Sequence, residues 1–250
     1  MLKTDFNGKV AVVTAAAKLP GREIAKALSE NGAKVAVCDK DIEAAKALAC
    51  ELKNAAAFEL DILKPETFEG ICKDIVKTLG SLDILVNNEK DDMRGEDKKP
   101  LHLLDFDRYL EITRKELYGT YYMSKNAMKQ MNNGGVVVNI TSSLGLAPAK
   151  NCIANVASAG AIMSLSRVSA LEMTPDNIRV HCIARGSLDG VEYENAPTPE
   201  NINHLATKRP VTAEDIANAV VFCASSEGAY TNGNILTVDG GQHIGYMRNF

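Results

Sequence analysis

No apolar run in this sequence approaches the roughly 20 residues needed to cross a bilayer, and its opening, MLKTDFNGK, contains no apolar signal core. Neither a membrane span nor a secretory leader is expected. Positive charge is not in excess: 28 Lys and Arg against 32 Asp and Glu leave a net charge of −4. Nucleic-acid binding needs a concentrated basic surface to neutralise phosphates, so that partner is not expected. Paired cysteines are missing too. Cys38, Cys50, Cys72, Cys152, Cys182 and Cys223 are scattered, with no C-x-x-C spacing. Several fall in apolar patterns, which reads as buried thiols in a reducing cytoplasm and no metal site. Internal repeats and linker-like stretches are absent as well, so residues 1–250 are expected to form one domain.

What is present is an alternation. Lys9 to Thr14 (KVAVVT) is a β-branched apolar run that reads as a buried parallel strand. A helix from Gly21 to Asn31 follows, stopped by Gly32. Strand Ala33 to Cys38, helix Asp41 to Lys53, strand Ala56 to Leu60, helix Pro65 to Leu79 and strand Leu82 to Asn87 continue the pattern. Leu103 to Met131 reads as one long helix or two abutting ones. It leads to a strand from Val136 to Thr141, a helix starting near Cys152, and a sixth strand from Ile178 to Ile183. Helix Ala213 to Ser225 and strand Ile235 to Val238 close the chain. Two irregular stretches stand out. The densely charged Glu89 to Lys99 reads as a solvated loop, and Ser187 to Arg209 as a mobile lid. This order predicts an α/β fold of Rossmann type, a doubly wound, seven-stranded and mostly parallel sheet with helices on both faces. A ligand crevice is expected at the carboxyl ends of the strands.

The alternation, NITSS at Asn139 to Ser143, TPDNIRVHCIARG at Thr174 to Gly186, TAEDIANAVVFCAS at Thr212 to Ser225, and ILTVDGG at Ile235 to Gly241 together resemble the short-chain dehydrogenase/reductase family. The similarity spans nearly the whole chain. It implies NAD or NADP binding and hydride transfer between nicotinamide and an alcohol or carbonyl. It further implies a homodimer or homotetramer, because the late helix and last strand resemble segments that pair subunits. Asp39 matches the family's acidic residue at the ribose 2′-OH, which favours NAD and disfavours NADP. Asp61 and Ile62 match the pair near the adenine, Asn87 opens the N-N-A-G segment beside the ribose, and Gly21 is the last glycine of the phosphate turn.

Against that pattern the chain keeps the serine, Ser142, but departs at the other reactive positions. The family's T-G-x-x-x-G-x-G turn reads TAAAKLPG from Thr14 to Gly21, with Ala15 and Leu19 at two glycine positions. Pro20 also removes an N–H from the helix start that would attract an anion. N-N-A-G has become Asn87-Asn88-Glu89-Lys90, and the proline-glycine after the sixth strand has become Arg185-Gly186. The family's catalytic Asn, Ser, Tyr and Lys fall on Glu116, Ser142, Asn155 and Ala159. An amide exchanges no proton near neutral pH and alanine supplies no charge; loss of a general acid typically costs about 10²–10⁴-fold. Tyr118, Tyr121 and Tyr122 lie on the preceding helix, with no spacing that aims them at the site.

Three functions follow. The first is a binding, regulatory or partner subunit without standard dehydrogenase activity, binding NAD weakly. The second is an NAD-dependent oxidoreductase with displaced acid–base groups. The third is a non-redox lyase or isomerase using Glu116, Ser142 and Arg185, with Arg185 a candidate site for a small anionic ligand.

Overall fold

The structure is a computed structural model that describes residues 4–88, 98–132, 134–188 and 205–245. Seven parallel strands form one sheet in the order β3-β2-β1-β4-β5-β6-β7. They are β1 (Val10–Val13), β2 (Lys34–Asp39), β3 (Ala55–Glu59), β4 (Ile84–Asn87), β5 (Gly135–Ser142), β6 (Ile178–Arg185) and β7 (Ile235–Val238). The sheet is thus wholly parallel. Its order reverses between β1 and β4, which opens the crevice at the carboxyl ends of those strands.

Among the described residues, seven helices cover the faces: α1 (Gly21–Glu30), α2 (Ile42–Glu51), α3 (Phe68–Leu79), α4 (Phe106–Thr113), α5 (Gly119–Met128), α6 (Ile153–Glu172) and α7 (Ala213–Ala224). A final short turn, α8, spans Gln242–Gly245. Continuous β-branched runs bury both sides of each central strand. On one face Val13, Val35, Val86 and Val138 pack with Ile24 and Leu28 of α1 and Ile216 and Val220 of α7. On the other, Val12, Leu85 and Val137 pack with Phe68 and Ile75 of α3 and Met123 of α5. Thr212 begins α7 with a capping box, its hydroxyl accepting from Asp215 N while the Asp215 carboxylate accepts from Thr212 N.

The expected elements all form, with small boundary shifts. Pro65 opens a 3₁₀ turn, Pro65–Thr67, that leads into α3. Strands β5 and β6 run further than expected, ending at Ser142 and Arg185, because the two remain paired up to that rung. The stretch read as one or two helices is one path containing a π-turn, Arg114–Tyr118, between α4 and α5. Most of the Glu89 to Lys99 loop and of the Ser187 to Arg209 lid lies outside the described residues. Of the six cysteines, all free, Cys50 is exposed and the other five are buried. Burial pushes the thiols of Cys72, Cys182 and Cys223 up to about 12, so they stay protonated. Among the described residues, no helix is long and apolar enough to cross a membrane.

Candidate functional site

The crevice is lined where β4, β5 and β6 end. The β5–β6 register sets Ser142 directly beside Arg185, and the β4–β5 register sets Asn87 beside Asn139. A polar chain ties these strands to the helices beneath. Asn87 Nδ2 donates to Ser124 Oγ at 2.9 Å and to Asn139 Oδ1 at 2.8 Å, and Asn139 Nδ2 donates to Ser166 Oγ at 2.9 Å. Asn87 Oδ1 is left buried without a partner among the described residues. Ser124 and Ser166 carried no signal in the sequence, and Asn139 carried one only as the first residue of NITSS.

Glu116 sits in the π-turn, which rotates it inward between α4 and α5. It is 5% exposed. Asn155 on the first turn of α6 is 3% exposed and donates from Nδ2 to Glu116 Oε1 at 2.9 Å. The structure therefore joins two of the three predicted catalytic residues in one buried hydrogen bond. Ala159, one turn further along α6, is 1% exposed and packs close to the Gly145 backbone. No cation occupies that place on the helix. Ser142 Oγ accepts from Leu144 N at 3.2 Å, capping the short turn Ser143–Gly145. Tyr118, Tyr121 and Tyr122 are solvent-exposed, with Tyr121 in the groove between α5 and α6 rather than in the crevice.

Arg185 is buried against expectation for a strand-end arginine. It is 4% exposed and lines a cavity with Asn88, Glu116, Ser142, Ile140 and Ile162. The cavity holds about 10 Å³, close to the least that one water needs. Small-molecule sites usually offer hundreds of Å³.

The cofactor-side residues form a closed turn. Ala16 N donates to Cys38 O at 3.1 Å, Ala17 N to Asp39 Oδ2 at 3.0 Å, and Arg22 N to Lys18 O at 2.9 Å. Three N–H groups of this turn, those of Ala16, Ala17 and Arg22, are thus used internally, and Pro20 has none to offer. Asp39 is 7% exposed and its other oxygen accepts from Asp41 N, so its carboxylate holds the turn together. Asn88 clasps the same turn, donating from Nδ2 to Ala15 O at 3.3 Å. Leu19 is exposed and Pro20 buried. Gly21 is required for packing: a Cβ there would lie 2.3 Å from Ala15 O. Asp61 half-faces solvent, accepting from Leu63 N at 3.1 Å, while Ile62 packs on Gly119 at the start of α5. These residues do not fit a dinucleotide pyrophosphate as the turn stands. Glu89 and Lys90, beside the expected ribose position, lie outside the described residues.

Ala15 adopts φ of +45°. The left-handed region costs a non-glycine residue about 1–2 kcal/mol. Ala15→Gly should therefore stabilise the protein by about 1 kcal/mol, a rise of roughly 2–4 °C in Tm for a chain of this size. A thermal melt that shows no change or a decrease would contradict that strain.

Comparison with known proteins agrees with the architecture. The family model described as enoyl-(acyl carrier protein) reductase matches residues 16–243. An uncharacterised oxidoreductase of Thermotoga maritima is 33% identical, over 95% of this chain and 98% of that protein. L-fucose dehydrogenase of Bos taurus is 29% identical, over 98% of this chain and 93% of that one. A solved 7α-hydroxysteroid dehydrogenase, complexed with NADH and 7-oxo glycochenodeoxycholic acid, superimposes with a TM-score of 0.88 at 30% identity, covering 95% of each chain. With a seven-stranded parallel sheet reversing at β1 and β4, and relatives matching from end to end, the chain belongs to the short-chain dehydrogenase/reductase family.

Proposed function

We propose that this chain is a binding, regulatory or partner subunit built on the family's fold, without its standard dehydrogenase chemistry. One observation carries the reading: the hydrogen bond from Asn155 Nδ2 to Glu116 Oε1 stands where the family places a proton-exchanging tyrosine. An amide cannot give or take that proton, and buried Ala159 offers no charge to assist it. Losses at the acid–base pair and at the phosphate turn reinforce one another, since hydride transfer needs both.

NAD(H) is then a weak ligand and NADP a weaker one, because the Asp39 carboxylate repels a 2′-phosphate. Calorimetric titration should give an NADH affinity of about high micromolar or worse. A low-micromolar constant in the wild-type protein would overturn the reading. The same family resemblance supports a homodimer or homotetramer through α7 and β7, and the protonated thiols suit a reducing cytoplasm. Sedimentation that gave only monomer at micromolar concentration would remove the assembly.

The names of the relatives favour a second reading, an NAD-dependent oxidoreductase with displaced acid–base groups. A live site would have to draw its proton from Glu116 or a group yet to be placed near Ser142.

A further inference from the structure

The dipeptide Asn-Gly occurs four times in this chain, at Asn7-Gly8, Asn31-Gly32, Asn133-Gly134 and Asn232-Gly233. In each, a glycine without a side chain leaves its backbone nitrogen open to approach the preceding carboxamide carbon. The structure separates the three pairs that lie among the described residues. Asn31 is 8% exposed, donates from Nδ2 to Ala27 O at 2.8 Å and accepts from Thr4 N, while Gly32 N donates to Ser29 O. Asn232 accepts from Val180 N at 2.9 Å and donates from Nδ2 to Ala170 O, while Gly233 N donates to Val180 O. Asn7 differs in each respect. Both Asn7 and Gly8 are exposed. Among the described residues, neither the Asn7 carboxamide nor Gly8 N has a hydrogen-bond partner, and the space around Gly8 is open.

We propose that Asn7 is a site of spontaneous deamidation, and that its loss of the amide loosens the junction between α1 and β1. Gly8 N gives its proton to solvent base and attacks Asn7 Cγ. The bond from Cγ to Nδ2 breaks, ammonia leaves, and a cyclic imide forms. Water then opens the imide at either carbonyl, giving aspartate or isoaspartate, with nothing oxidised or reduced. At Asn31 and Asn232 the same attack must wait for buried hydrogen bonds to open. The Asn7 turn is anchored on both sides: Phe6, itself buried, donates from N to Asn31 O at 2.7 Å, and Lys9 N donates to Phe6 O at 2.9 Å just before Val10 opens β1. Asn7 Oδ1 lies against Gly32, 2.7 Å from the place a Cβ would take there, just past the end of α1. Either product therefore sets a negative charge beside the C-terminal end of α1, where the helix dipole disfavours it. The Asp5 carboxylate, which accepts from Asn7 N at 2.8 Å, adds a second one nearby. Isoaspartate also lengthens the main chain by a methylene between Phe6 and Val10.

The test is a time course of the full wild-type chain in mildly alkaline buffer, read by peptide-mapping mass spectrometry with isoaspartate detection, folded and in urea. In the folded protein Asn7 should lose its amide at least about tenfold faster than Asn31 or Asn232, because each of those must first break two or more hydrogen bonds. In urea the three rates should converge, since the fold and not the dipeptide sets the order. Comparable rates at the three positions in the folded protein, a slower Asn7, or an order that survives in urea would overturn the site. Asn7→Asp, which makes the charge without the chemistry, should lower Tm by about 1–3 °C, whereas Asn7→Ser should not and should leave the Asn7 peptide unmodified on ageing. A Tm for Asn7→Asp at or above that of wild type would overturn the proposed loosening. The wild-type time course needs no variant to fold.

Discussion

Restoring the family's groups together yields NADH-dependent turnover that neither half of the restoration gives alone. Asn155→Tyr with Ala159→Lys supplies the missing acid and its charge, and Glu116→Asn must accompany them because Asn155 is the donor to Glu116 Oε1. That triple variant should stay silent, since the phosphate turn still uses the N–H groups of Ala16, Ala17 and Arg22 internally. Ala15→Gly with Leu19→Gly should by itself improve NADH binding without chemistry. The five substitutions combined should give NADH oxidation on a carbonyl panel at least about 10²-fold above either partial set, because such groups act as a unit. Absorbance at the nicotinamide band reads all three proteins. Full activity in the triple variant would show that the turn is no obstacle. A well-folded but silent five-substitution protein would show that other positions, such as Arg185, close the site.

Acid should destabilise this protein through one histidine. His181 on β6 is 1% exposed, and burial first and Arg179 second pull its pKa down from 6.5 to about 4, opposed by a hydrogen bond to the Thr231 backbone. Arg179 Nη1 lies 2.7 Å from His181 Nε2, and the same guanidinium donates to the carbonyls of Cys223, Ala224, Ser225 and Gly228 at the end of α7. The neutral ring therefore accepts from an arginine that caps a helix. Because the folded value is depressed, the unfolded chain takes up the proton first as pH falls. The contribution is whole above pH 6.5 and is lost progressively down to about pH 4, on the order of 3 kcal/mol. Urea unfolding at intervals from pH 7 to pH 4 should show that slope. His181→Gln, which keeps an acceptor for Arg179 but does not titrate, should flatten it by most of that amount. Parallel pH profiles for the two proteins would remove His181 from the account.

The strands were legible because β-branched apolar runs of four to eight residues, such as KVAVVT and VVVNIT, have few other uses in a chain of this length. Alternation with helices then left little freedom in topology. The site residues were legible as positions and not as contacts. Ser142, Glu116 and Asn155 could be named by resemblance to the family's pattern, yet the bond between Glu116 and Asn155 joins residues 39 apart in sequence and depends on a π-turn. Hydrophobic period alone does not distinguish a π-turn from α-helix. Asp39 shows the same limit: an acidic residue at the end of β2 suggests a ribose, while one of its two partners, Ala17 N, belongs to another loop. Arg185 was read as a candidate anion site, and only its place at the end of β6 shows it buried.

The most direct measurement is turnover by the wild-type protein with NADH and NAD on a broad ketone and alcohol panel, followed at the nicotinamide band beside Ser142→Ala. The account predicts no turnover above background for either protein, because the position that must exchange a proton is the Asn155 amide held by Glu116. Robust wild-type turnover that Ser142→Ala abolishes would contradict it, and would mean that the crevice between β4, β5 and β6 carries out redox chemistry through other groups.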